Sequence, residues 1–204
     1  MKIKNCYLLF ILFFQICMVD AVPNGVAGPL TGNVQPDGVT LWMYASPTSV
    51  ITFTYQAEGS DQKEKQTGKF TAVKNQAAKG LEQIFKATLN GLSPDTRYQY
   101  QVSIDGKSNT AWEGSLNTAP VEGKPSAFRM AITSCMKIGR PQGSWNLLLA
   151  EKPDFHLTVG DTHYADTTDP TVQLQHHVAY RREKEFAKVL RNIPIYAIWD
   201  DHDY

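Results

Sequence analysis

From about Asn24 to Thr118, short runs of apolar residues are separated by turn residues. Val39–Tyr44 and Val50–Tyr55 are rich in β-branched and aromatic side chains, with Pro36-Asp37-Gly38 and Ser46-Pro47 around them. That composition and punctuation predict strands. Ile84–Leu89 and Tyr98–Val102 alternate with period two, which gives each run one buried face. Strands of this length and spacing predict a small β-sandwich. The Lys- and Gln-rich stretch Ser60–Gly68 reads as a solvated hairpin loop.

Past the sandwich the period changes. A linker over residues 120–126, with Pro120, Gly123 and Pro125, leads into a strand at Phe128–Thr133. Ser144–Glu151 reads as a short helix with Ser144 as its N-cap, and Phe155–Val159 as a second strand. Thr171–Asn192 reads as one long helix, its apolar face made by Leu174, Val178, Phe186, Val189 and Leu190. Pro194 follows that helix, and Ile195–Trp199 is a third strand. Strand, helix, strand, helix, strand predicts a parallel sheet with right-handed crossovers. The expected organisation is a signal segment over 1–21, a β-sandwich over 22–119, the linker, and the first part of an α/β domain over 127–204.

Charge and cysteines narrow the function. The 204 residues carry 20 basic and 20 acidic side chains, so nothing draws the whole molecule toward nucleic acid or anionic lipid. An anionic substrate must be attracted locally, which a metal ion would do. Lys2 and Lys4 precede an apolar run from Tyr7 to Met18, and Val19-Asp20-Ala21 offers a small-residue cleavage site. This is the layout of a secretory signal, and the run is shorter than the roughly 20 apolar residues of a membrane span. A secreted or periplasmic monomer without a stable membrane anchor is expected. Cys6 and Cys17 leave with the signal, so Cys135 has no internal disulfide partner. It is either buried and inert or a ligand.

In open parallel sheets ligands bind beyond the carboxyl ends of the strands. Cys135 follows the first of these strands, Asp161 and Tyr164 the second, Asp201 and His202 the third. Thiolate, carboxylate, phenolate and imidazole suit ions that polarise a phosphoryl group and activate water. Gly-Asp alone is a common turn. The three acidic residues Asp200, Asp201 and Asp203 behind an apolar strand, however, repel one another unless a cation or strong donors neutralise them. His156, inside a strand, reads as a core or sheet-face residue. His176 and His177 point about 100° apart on one helix and read as surface or packing residues. Arg181–Glu185 reads as a solvated helix face.

Two resemblances attach to these residues. Leu89–Tyr100 resembles the late corner of a fibronectin type III domain, in which the leucines and the first tyrosine pack the corner while Pro94 and Asp95 shape the turn. Ser134-Cys135, Gly160-Asp161 with Tyr164-Ala165-Asp166, and Trp199–Tyr204 resemble the PhoD-type alkaline phosphatases, a branch of the calcineurin-like metallophosphatases. That family begins with a fibronectin-like domain, and its catalytic domain has four α/β/β/α layers. The resemblance implies two metal ions, iron and calcium, and a phosphate-ester substrate. Asp161 would bridge the ions, Cys135 and Tyr164 would bind iron, and Asp201 would bind calcium. His202 would stabilise the transition state or protonate the leaving alkoxide. Asp166 and Asp203 would support these groups, while His163 is not expected to be a ligand.

Relatives continue past the third motif and bring at least two further ligands. A truncated form with impaired turnover is therefore expected. Two functional readings stand: a secreted metal-dependent phosphoric ester hydrolase, and a non-enzymatic exported module whose sandwich binds a polymer or partner.

Overall fold

A computed structural model describes residues 25–61, 65–74 and 83–204. The expected signal segment, with Cys6 and Cys17, and part of the 60–68 loop lie outside the described residues. The sandwich strands are β1 (Ala27–Gln35), β2 (Gly38–Ala45), β3 (Ile51–Ala57), β4 (Gln66–Lys69), β5 (Thr71–Ala72), β6 (Gln83–Asn90), β7 (Arg97–Ile104) and β8 (Lys107–Asn117). The end of the stretch read as loop is β4, which pairs antiparallel with β3 from Thr52↔Lys69 to Tyr55↔Gln66.

Two antiparallel sheets form, ordered β1-β2-β6-β5 and β4-β3-β7-β8. Period-two alternation sends Val39, Leu41 and Met43 inward from one sheet, and Phe53, Tyr100 and Val102 from the other, into one core. Each fully buried side chain of this size contributes about 1.5–3 kcal/mol through lost contact with water. The corner between β6 and β7 forms as its sequence implies. Leu89, Leu92 and Tyr98 are buried, the Ser93 amide donates to the Tyr98 hydroxyl at 2.8 Å, and Asp95 takes a left-handed turn conformation at φ 47°. Thr118 and Ala119 still belong to this region: the Thr118 hydroxyl donates to Ser93 O at 2.7 Å, and the Ala119 amide to Gln35 O.

The second region contains β9 (Met130–Thr133), α1 (Ser144–Ala150), β10 (Phe155–Val159), α2 (Pro170–Arg181), α3 (Lys184–Leu190), β11 (Ile195–Ile198) and a 3-10 turn at Asp201–Asp203. The three strands make a parallel sheet with β10 in the centre. Its inner face meets the helices through His156, which is fully buried against Trp145 and Phe186. On their other side the helices pack on β1 and β2, so that Ala27, Leu30 and Tyr44 share a second core with Trp145, Tyr180 and Phe186. The helices are thus clamped between the sheets. Arg191 O at the end of α3 accepts from the Tyr100 hydroxyl (2.7 Å) and the Ser115 amide (3.2 Å). Gly114 permits that approach: a Cβ there would lie 2.0 Å from Arg191 O.

Three local expectations are corrected. The long helix is two, because the amides of Arg182 and Glu183 close tight turns onto Ala179 O and Tyr180 O, and Glu183 leaves helical space at ψ 123°. Arg182 Nε donates to Val26 O at 3.0 Å, anchoring the bend to the sandwich and letting α3 dock Phe186, Val189 and Leu190. The N-cap of α1 is Gly143, and no side chain caps that helix; Ser144 is its first residue. Arg181 is buried, not solvated, and its Nη1 donates to His177 O at 3.1 Å. By contrast α2 starts on a strong signal, Asp169 accepting from the Thr171 and Val172 amides with Pro170 in the first turn.

Candidate metal centre

The three loops leaving β9, β10 and β11 meet at the carboxyl edge of the sheet. Their geometry is unusual for L-residues: Cys135 (φ 58°), Asp161 (φ 53°), Tyr164 (φ 49°) and Asp166 (φ 48°) all adopt the left-handed conformation. Such backbone costs on the order of 1 kcal/mol or more per residue and persists where surrounding contacts impose it. Gly160 is one cause. It lies at φ 96°, and a Cβ there would sit 2.4 Å from Asp200 Cβ and 2.9 Å from Asp200 N, so only glycine lets the second loop close on the third.

Asp203 is the other cause. Its buried carboxylate accepts from the Thr162 amide (2.9 Å), the His163 amide (3.3 Å) and the Asp200 amide (3.3 Å), and pairs with His163 Nδ1 at 3.0 Å. One side chain therefore ties both acidic loops together. Asp200 Oδ1 caps the Asp201 amide at 2.9 Å. Amide donors, with the His163 ring beside Asp203, thus partner two of the three clustered aspartates. Asp201 remains exposed and turned to the site.

Ligand-type atoms of Asp161, Asp201 and His202 all lie within 4.8 Å of one another. The Cys135 Sγ is 3.6 Å from Asp161 Oδ2, and the cysteine is exposed, unlike an inert core thiol. Tyr164 stacks on His202 with ring centroids 4.9 Å apart. Its phenol is pushed up to about 12 by desolvation, then by Cys135 and Asp161 beside it. Desolvation and the neighbouring acids favour the protonated phenol; a bound cation would reverse that balance and favour the phenolate. A carboxylate pair, a thiol, a phenol and an imidazole converging in this way fit a metal ion by their donor chemistry.

His202 is held from behind. Its Nδ1 lies 2.6 Å from Asp166 Oδ1, and its amide 3.4 Å from Asp161 Oδ1. The Asp166 hydrogen bond raises the imidazole pKa above its ordinary value and lowers that of the carboxylate. The bond to Nδ1 leaves Nε2 for another partner.

The sequence-predicted residues Cys135, Asp161, Tyr164, Asp201 and His202 thus lie together. His163 turns away into its pair with Asp203, while His177 packs on the rings of Tyr44 and His163. One group escaped sequence reasoning: Lys137, whose Nζ stands 4.9 Å from the Tyr164 ring centroid. A lysine two residues beyond Cys135 carries no periodic signal; only the fold of the loop brings it over the ring.

This arrangement defines a class: a β-sandwich followed by a parallel α/β sheet with acidic loops at its carboxyl edge. Residues 31–118 match the family model of the purple acid phosphatase N-terminal domain. Among solved structures, PhoD superposes with a TM-score of 0.65 and 20% identity over 87% of this chain and 38% of that one. A purple acid phosphatase from yellow lupin (Lupinus luteus) seeds gives 0.64 and 14%, over 88% of this chain and 36% of that one. The chain therefore spans little more than a third of either structure. No curated protein matches it in sequence. The resemblance to the N-terminal part of a PhoD-like phosphatase is borne out by the family match on the sandwich and by the shared fold.

Proposed function

We propose that the chain carries the leading ligand set of a secreted, metal-dependent phosphoric ester hydrolase of the PhoD type. The observation that supports this most is the meeting of Asp161, Asp201 and His202 within 4.8 Å, with Cys135 beside Asp161. Asp161 would be shared by two ions. Cys135 and Tyr164 would hold one, as donors that suit ferric iron, and Asp201 the other, as a hard oxygen donor that suits calcium. When bound, such a pair supplies Lewis-acid polarisation of a phosphoryl group and a nucleophile from water.

The remaining steps belong to side chains of this chain. Asp166 orients His202 and raises its proton affinity, favouring the imidazolium, whose Nε2 proton would be donated to a leaving alkoxide oxygen or shared with the phosphoryl oxygens. Asp203 and Gly160 keep the acidic loops in register. With no net charge on the whole molecule, attraction of a phosphate ester falls to the site itself.

The test is ferric-ion titration of the purified chain, followed by its visible absorption and by hydrolysis of an aryl phosphate. Ferric binding with a phenolate-to-iron charge-transfer band is expected, with Tyr164→Phe abolishing the band and Asp161→Ala weakening affinity by on the order of 100-fold. Binding without the band, or affinity indifferent to Asp161→Ala, rejects the ligand assignment. Hydrolysis that requires Asp161 and His202 supports the enzymatic reading; metal binding without hydrolysis restricts the chain to holding ions.

A further inference from the structure

A cleft follows the junction of the two regions at the amino ends of β9, β10 and β11, the opposite end of the sheet from Cys135 and Asp161. One lobe encloses about 510 Å³ and is bounded by Lys124 and by the rings of Phe128, Phe155 and Tyr196. A second lobe of about 490 Å³ is bounded by Glu58, Lys152 and Ile193. The lobes share Arg97, Asn117, Asp154 and Pro194, so together they make one elongated cleft. Each lobe has the size of a small-molecule site, and junctions between domains are where such sites favour forming.

The lining selects a ligand chemistry. Phe128 and Phe155 lie 5.5 Å apart at 32°, and Phe155 and Tyr196 6.0 Å apart at 88°, so three rings form a stepped apolar wall. Phe128 is 67% exposed. Charge is balanced in each lobe: Asp95 and Asp154 against Arg97 and Lys124 in the first, Glu58 and Asp154 against Arg97 and Lys152 in the second. A polyanion or polycation gains no net attraction there.

Two of the shared polar groups, Arg97 and Asp154, are held by other protein groups. Arg97 Nη2 donates to Ser115 Oγ at 2.9 Å and its Nε pairs with Glu58 at 3.4 Å, while Asp154 Oδ2 accepts from the Arg129 amide at 2.7 Å. Guanidinium, amide and carboxylate side by side offer both donors and acceptors, the requirement of a hydroxyl group, which is both.

We propose that this cleft binds a neutral oligosaccharide, its ring faces on Phe128, Phe155 and Tyr196 and its hydroxyls on Arg97, Asn117 and Asp154. Two joined lobes suit a chain of sugar rings better than a single one. The proposal is independent of the metal centre and of any hydrolytic activity.

The test is calorimetric and NMR titration of the full chain with cellohexaose, maltohexaose and chitohexaose as probes. At least one binds with a Kd of about 1 mM or tighter, perturbing the Phe128 and Tyr196 ring signals. Phe128→Ala, which removes an exposed ring, and Arg97→Ala each weaken binding about tenfold, equivalent to roughly 1.4 kcal/mol. Tyr204→Ala, outside the cleft, leaves it unchanged. No binding of the three sugars at about 10 mM overturns the proposal, as does binding insensitive to both cleft variants. Capture of a proline-rich peptide in place of any sugar overturns it too.

Discussion

The two regions of this chain solve the problem of sheet burial differently. In the sandwich each sheet covers the other, and twenty buried residues among those described form a continuous core between them. Among the described residues the parallel sheet is covered on one face, by the helices. Its other face presents Met130, Ile132, Phe155, Leu157, Tyr196 and Ile198, which the strand register places on one side, and Ile132 and Ile198 are more than half exposed. Equally apolar strands therefore have unequal value. An isoleucine contributes to stability only where something covers it, and the strand sequence does not say what does.

That contrast is open to a direct mutational test. Leu41→Ala in the sandwich core is expected to cost about 2–5 kcal/mol, because it leaves a cavity in a packed interior, whereas Ile132→Ala on the open face costs less than about 0.5 kcal/mol. Urea denaturation midpoints measure both. Equal losses would mean that the open face is covered in solution.

A smaller effect separates the regions by pH. His156 is fully buried, its Nε2 is 2.7 Å from the Thr133 hydroxyl, and burial pushes its pKa down to about 4. In the unfolded chain it titrates near 6.5, so between those values the unfolded state binds the extra proton. The contribution of neutral His156 is complete above about pH 6.5 and falls away as pH drops toward 4, by roughly 3 kcal/mol in all. Thermal melts of the wild type and His156→Gln from pH 7 to 4 should converge if this is right. The sandwich, whose core holds no histidine, contributes no such slope.

The smallest expected effect lies at the corner between β6 and β7. Tyr98→Phe removes the hydroxyl that accepts from the Ser93 amide and should cost about 1 kcal/mol. Its signature is faster exchange of the Ser93 amide proton with the parallel sheet undisturbed. Loss of protection in β9–β11 as well would mean the two regions unfold as one.

Much of this was legible beforehand. Alternation in Ile84–Leu89 and Tyr98–Val102, the turn residues around them, and the change of period after the linker predicted a sandwich followed by a parallel sheet. Strand order and the carboxyl-edge rule then placed Cys135, Asp161, Tyr164, Asp201 and His202 together. What was illegible shares one cause: it depends on partners distant in sequence. Arg182 breaks the long helix by reaching Val26 O, and Arg181 is buried because the helices lie between two sheets. Lys137 reaches Tyr164 only through a loop path.

Local chemistry by itself determined most of the elements, their order and the donor types at the strand ends, since period, turn residues and side-chain functional groups are properties of short segments. Tertiary structure alone decided which aspartates are available. Asp203 and Asp200 accept backbone amides within and across the acidic loops, which leaves Asp161 and Asp201 facing the site. A carboxylate's role depends on the donors within about 3 Å of it, and folding, not sequence spacing, delivers those donors.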